Sequence, residues 1–177
     1  MSDEELERLR RCAVIDAAYR AGDLDALREA MGNPPDFPNC RHPVALPVGD
    51  YPLEYAIYWS PLAFVERLLE LGADPNYEAD NGFPSLIAAL SSGRKDGQRL
   101  LSLLLDRGAH LDQRGVNDWT ALHFATALRD LEAVRLLLER GADPDLRTRI
   151  DDCTSALEDA EAAGFDEAVA LMRARSG

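Results

Sequence analysis

Lysine is nearly missing from this chain. Lys95 stands alone among 19 basic residues, so positive charge comes almost wholly from arginine. Basic residues are themselves the minority, 19 against 32 acidic ones, for a net charge of −13 at neutral pH. That sign argues against holding nucleic acid or an anionic membrane, since both are negative too. It suits solubility, and it suits a partner with a basic surface. Cysteine is scarce. Cys12, Cys40 and Cys153 are odd in number, far apart and form no CxxC, which speaks for unpaired thiols in a reducing compartment. No stretch approaches the ~20 apolar residues that a membrane span needs. The acidic start, Met1-Ser-Asp-Glu-Glu5, leads into no apolar run. No secretory leader is therefore expected, and the expected location is cytoplasmic. P-loop, GxGxxG and GxSxG motifs are all missing.

What the chain does have is a period. Gly72-Ala-Asp-Pro75, Gly108-Ala-His110 and Gly141-Ala-Asp-Pro144 follow one another at spacings of 36 and 33 residues. Ahead of each sits a Leu-x-x-Ala core: Leu53 to Ala56, Leu86 to Ala89, Leu122 to Ala125. A fourth, Leu157 to Ala160, follows at 35. A period in this range means stacked small units rather than one closed core. Apolar residues at 46% are enough to bury such a core.

The best copy can be read residue by residue. Asn117-Asp118 makes a turn, and Thr120 opens a short helix in which its hydroxyl can cap a first-turn N–H. Ala121, Leu122 and Ala125 keep that helix small-sided, so neighbours approach closely. Arg129-Asp130 interrupts it. A second helix runs from about Leu131 to Arg140, with Leu131, Val134, Leu137 and Leu138 on one face. Gly141 ends it in the left-handed conformation, and Asp143-Pro144 begins an extended loop. Other copies repeat the buried face with Val65, Leu68 and Leu69, and with Leu101, Leu104 and Leu105. The last gives Val169, Met172 and Arg173; an arginine there means that face meets solvent, as a terminal cap would. At the other end, Ile15 to Ala18 and Leu27 form a worn copy, opened by a Ser2-x-x-Glu5 capping box. Gly32-Asn-Pro-Pro35 then leads into a proline-rich loop. A loop that long is either functional or disordered.

These motifs resemble the ankyrin-repeat family. Thr120-Ala-Leu-His123 differs from the family's Thr-Pro-Leu-His by one residue, and Gly72-Ala-Asp-Pro-Asn76 matches its Gly-Ala-Asp-x-Asn. The register covers nearly the whole chain, from about Cys12 to Met172. The resemblance implies an all-α solenoid of about five helix-turn-helix repeats, the outer two acting as caps, with β-hairpin-like loops. The expected division is a single domain: a capping repeat over 1–33, the loop over 34–50, repeats over 51–82, 83–118 and 119–150, and a capping repeat over 151–177.

The histidines, cysteines and clustered aspartates fit structural roles. His123 sits where the family's histidine hydrogen-bonds backbone in neighbouring loops, and His110 is expected at the surface. Cys40-x-His42 lacks the two further ligands that zinc needs. Asp143, Asp145, Asp151 and Asp152 lack the glycine and glutamate of an EF-hand. Neither a metal nor a cofactor is expected.

In the family, partner contacts come from loop tips and from the exposed side of the first helix. Carried over, the tips are Asp50, Asp80, Asn81, Phe83, Val116, Asn117, Trp119, Asp151 and Asp152. The helix positions are Arg20, Tyr58, Trp59, Ser91, Ser92, Ala127 and Leu128. Both tryptophans fall in this set, although aromatics are only 7% of the chain. Tyr, Trp and Arg dominate interface hot spots, and aspartates at the tips would form an acidic rim. The competing reading packs Trp59 and Trp119 between repeats. The expected function is a non-catalytic scaffold, adaptor or regulator, monomeric when free, binding another protein through a concave face and loop tips. A narrower alternative is an acidic inhibitor or immunity-type protein that neutralises a basic toxin or enzyme. A third, of a different class, is an enzyme using Cys40 and His42.

Overall fold

The computed structural model describes residues 2–150 and 153–175. Among these residues there are ten α-helices in five consecutive pairs and no named strand. The pairs are α1 (Asp3–Ala21) with α2 (Leu24–Met31), α3 (Pro52–Trp59) with α4 (Leu62–Glu70), α5 (Ser85–Ser91) with α6 (Gly97–Asp106), α7 (Ala121–Ala127) with α8 (Leu131–Glu139), and α9 (Ala156–Ala162) with α10 (Asp166–Arg173). The helices gather into two compact units, Met1–Tyr77 and Glu78–Gly177.

The period explains the packing. Leu53, Ala56, Leu86, Ala89, Leu122, Ala125 and Ala160 are all buried, as the Leu-x-x-Ala pattern requires. Burying a leucine contributes about 2 kcal/mol, and alanine lets helix axes approach. In the second unit α7 lies against both α5 and α9, and α8 against α6 and α10. Second helices bury Val65, Leu68 and Leu69, then Leu101 and Leu104, then Val134, Leu137 and Leu138. Leu105 is only half-buried. In α10 the pattern closes with buried Met172 and exposed Arg173, which pairs with Glu161.

Three second helices end alike. The N–H groups of Ala73, Ala109 and Ala142 donate to the carbonyls of Leu68, Leu104 and Leu137, each at 3.0 Å. This closure places the intervening glycine in the left-handed region, with Gly141 at φ 98°. At the other end, Ser2 and Glu5 form the expected reciprocal capping box.

The loops are tighter than paired hairpins. Their backbone pairing is sparse: the single bridge among the described residues joins Arg147 and Ser155. One short contact joins two successive tips. Val116 N–H donates to Gly82 C=O at 2.7 Å, and a Cβ on Gly115 would stand 2.4 Å from that same oxygen. Only glycine allows the two tips this close.

The proline-rich loop of the first unit is an ordered strap. Asn39 is its main tie: the amide donates to Gly72 C=O at 2.9 Å and accepts from Asp74 N–H at 2.8 Å. Phe37 lies under the Arg28 guanidinium, and Cys40 is buried. His42 reaches the core, where Nε2 and the Tyr19 hydroxyl are hydrogen-bonded at 2.7 Å. Tyr19, Tyr55 and Phe64 complete that aromatic cluster.

Candidate protein-binding surfaces

In the second unit the tip over Val116–Asp118 is one turn of 3-10 helix. Asn117 and Asp118 both adopt positive φ, 57° and 58°, a conformation that Asn and Asp tolerate better than most residues. This turn exposes Asn117 and points Asp118 inward. Asp118 then receives bonds from two arginines: Arg114 at 2.8 Å, and Arg149 at 2.5 Å through its side chain and 2.6 Å through its backbone N–H. Those bonds, that from the Arg149 side chain foremost, hold its carboxyl down at about pKa 2 against the opposing effect of burial. Arg114 also donates to Arg147 C=O at 2.9 Å. The tip at 116–118 is thereby tied to the next loop.

Directly after this turn comes Trp119, half-buried, with its ring edge-on to Phe124 at 6.2 Å between centroids. Phe124 meets Phe83 in the same way. Behind Trp119, Thr120 and His123 form a clasp: the hydroxyl lies 2.9 Å from Nδ1, and Nε2 lies 3.3 Å from Thr154 C=O. Burial lowers the pKa of His123, with the Thr154 carbonyl pulling it back up. The ring therefore works as a neutral structural bridge, as its position in the motif implies.

Trp119 and Asn117 line a cavity of about 490 Å³ together with Ala127, Arg129, Ile150 and Asp159. Ile150 in that lining, and Leu128 between the lining residues Ala127 and Arg129 in sequence, are each half-exposed, at 50%. Three of the residues expected at the partner face, Asn117, Trp119 and Ala127, thus meet at one opening.

The first unit has its own grouping. Trp59 is 40% exposed, and the Arg20 guanidinium lies over its ring at 4.7 Å. Arg20 also pairs with Asp16, which accepts from the Tyr55 hydroxyl at 2.6 Å. These residues line an apolar cavity of about 250 Å³ with Cys12, Leu46 and Pro47. Tyr58 is half-buried at the end of the same helix.

Other expected contact residues have local duties. Asp50 pairs with Arg41, and its N–H donates to buried Glu54. Asn81 accepts from Phe83 N–H, while Asp80 is exposed. Ser91 and Ser92 donate to the carbonyls of Ala88 and Ala89, so their hydroxyls are turned onto their own helix. Val116 is half-buried and fixed by its bond to Gly82. Asp151 and Asp152 lie outside the described residues. The sequence reading overlooked Asp118, Arg149, Ile150 and Asp159. One signal was available: Asp118 and Arg149 are opposite charges 31 residues apart, close to one period.

Cys40 and His42, the pair considered for nucleophilic chemistry, are each engaged in the packing of the strap. Burial, helped by the charge of Asp36, pushes the Cys40 thiol up, away from thiolate. Burial also holds His42 neutral, down to about pKa 4, and its Nε2 is taken by Tyr19.

Paired helices recurring every 33 to 36 residues, three of the second helices ending at a glycine, define an all-α repeat protein. The family model for ankyrin repeats matches residues 53–148 in three copies, more than half of the 177-residue chain. The chain belongs to the ankyrin-repeat family. It is similar to human SH3 and multiple ankyrin repeat domains protein 1, 40% identical over 87 residues, which are 48% of this chain and 4% of that protein. It is also similar to the Drosophila melanogaster transient receptor potential channel pyrexia, 36% identical over 118 residues, 66% of this chain and 12% of that one. The Caenorhabditis elegans ankyrin repeat and KH domain-containing protein mask-1 is 30% identical over 112 residues, 63% of this chain and 4% of its own. The chain thus spans only a small part of the length of these relatives. Repeat stacks of this kind present extended surfaces that bind other proteins. No helix among the described residues is long and apolar enough to cross a membrane.

Proposed function

We propose that this chain is a non-catalytic protein-binding module acting as a scaffold, adaptor or regulator. The observation that carries this reading is the opening beside Trp119. A half-buried tryptophan and a half-exposed isoleucine line a cavity of about 490 Å³, with half-exposed Leu128 next in sequence to two of its lining residues. Such a grouping of aromatic and aliphatic side chains is what an interface centre uses. In the first unit Trp59 and Arg20 supply a second contact region of the same character. The net charge of −13 favours a partner with a basic surface. An acidic inhibitor or immunity-type protein that masks a basic toxin or enzyme is a narrower form of the same reading, and the charge is what favours it. In either form the chain works in the cytoplasm and is monomeric when free.

Affinity capture of a partner by the wild type and by Trp119→Ala and Trp59→Ala tests the proposal. Loss of capture with unchanged circular dichroism supports it. Unfolding of the variants would assign these rings to seam packing. Capture that persists in both folded variants would place the binding face elsewhere.

A further inference from the structure

The cavity beside Trp119 holds an acid whose carboxylate accepts no hydrogen bond and forms no ion pair among the described residues. Asp159 lies in the first turn of α9, half-buried, and lines the opening. No arginine, lysine or other donor among the described residues reaches its carboxylate. Capping of this helix needs no help from it, because Glu158 closes the reciprocal box with Ser155. Arg129, the one cation in the lining among the described residues, directs its donors elsewhere. Its guanidinium donates to Ala163 C=O at 2.9 Å and Gly164 C=O at 3.3 Å, and it stacks on Phe165 at 4.8 Å. The Trp119 ring lines the same opening and packs edge-on with Phe124 at 6.2 Å between centroids.

We infer that this cavity receives an arginine side chain from a linear segment of the partner, its guanidinium between the Trp119 ring and the Asp159 carboxylate. This deepens the protein-binding reading and rests on it. An aromatic face attracts a cation, and a carboxylate takes a planar guanidinium in a two-pronged, charge-assisted bond. Arginine suits such a site better than lysine, because its head is more weakly hydrated and its donors are preset in a plane. The volume of about 490 Å³ leaves room for apolar flanking residues against Ile150 and Ala127. The excess of acid over base on the chain draws such a segment in.

The probe is N-acetyl-arginine amide, with N-acetyl-citrulline amide as its neutral isostere and N-acetyl-glutamate amide as the opposite charge. Binding is read from the Trp119 indole N–H signal in two-dimensional NMR, assigned by a Trp59→Phe variant. The expected result is a saturable shift with the arginine amide only, weakened at least about fivefold by Asp159→Asn. Citrulline binding as well as arginine, binding unaffected by Asp159→Asn, or preference for the glutamate amide would each overturn the inference. Partner capture separates the two proposals. Capture lost in Trp119→Ala but intact in Asp159→Asn sinks the arginine site and leaves the binding face standing; capture intact in both sinks the face as well.

Discussion

The Asp118 carboxylate binds Arg149 twice, through the guanidinium at 2.5 Å and through the backbone N–H at 2.6 Å. The bond to the backbone fixes where the loop runs, and the bond to the side chain holds the charge. Asp118→Asn keeps the size but removes the charge. It is expected to cost about 1.5–3 kcal/mol in unfolding free energy, the range for hydrogen bonds to a charged group. Because the folded pKa of about 2 is below the ordinary 3.8, the contribution is complete above pH 4. It is lost as pH falls from about 4 through 2. Chemical denaturation at pH 6 and pH 2.5 checks this: the gap between wild type and variant should narrow at the lower pH.

His42 predicts the opposite end of the acid range. It stays neutral in the folded first unit down to about pH 4, whereas its ordinary value is 6.5. Between those values the unfolded chain takes up a proton that the folded chain refuses. Stability should therefore fall on acidification from pH 6.5 towards 4, by up to about 1.4 kcal/mol per pH unit. His42→Gln removes that titration. Its unfolding midpoint should vary less than wild type's between pH 7 and 5, which denaturation monitored across that range would show.

Asn39 ties the strap to the Gly72–Asp74 turn with two bonds. Asn39→Ala leaves both backbone groups to water at an exposed site. A loss of about 1–2 kcal/mol is expected. Hydrogen exchange of the Asp74 amide should accelerate markedly in the variant, while amides of α8 keep their protection.

Helices and their stacking partners were readable from the chain because each repeat states its rule locally. Leu122 and Ala125 mark a buried face, Gly141 marks an end, and the same marks recur one period away. His123 was readable for the same reason, through the motif that contains it. The strap was not. Asn39 finds its partners 33 and 35 residues away, about one period, but from a loop that carries none of the repeat's marks, and His42 finds Tyr19 at 23 residues, outside the period, so no local pattern announces either tie. Side-chain direction was the other gap. Ser91 and Ser92 look like exposed helix positions, yet each hydroxyl turns back to a carbonyl of its own helix. Asp118 looks like an ordinary turn residue, but two successive positive φ angles aim it inward at two arginines. Asp159 could not be picked out, since an acid in the first turn of a helix is normal. Its significance depends on the cavity that it faces.

Cross-linking from the half-exposed rim tests the protein-binding face most directly. A photoreactive benzoylphenylalanine is placed at Leu128, beside the Trp119 cavity, and in a second sample at Arg135, on the exposed side of α8. Irradiation in an extract of the native host should give one discrete heavier adduct from position 128, suppressed when Trp119→Ala is added, and none from position 135. Equal adducts from both positions, or an adduct from 128 that Trp119→Ala leaves unchanged, would contradict a partner seated at this cavity.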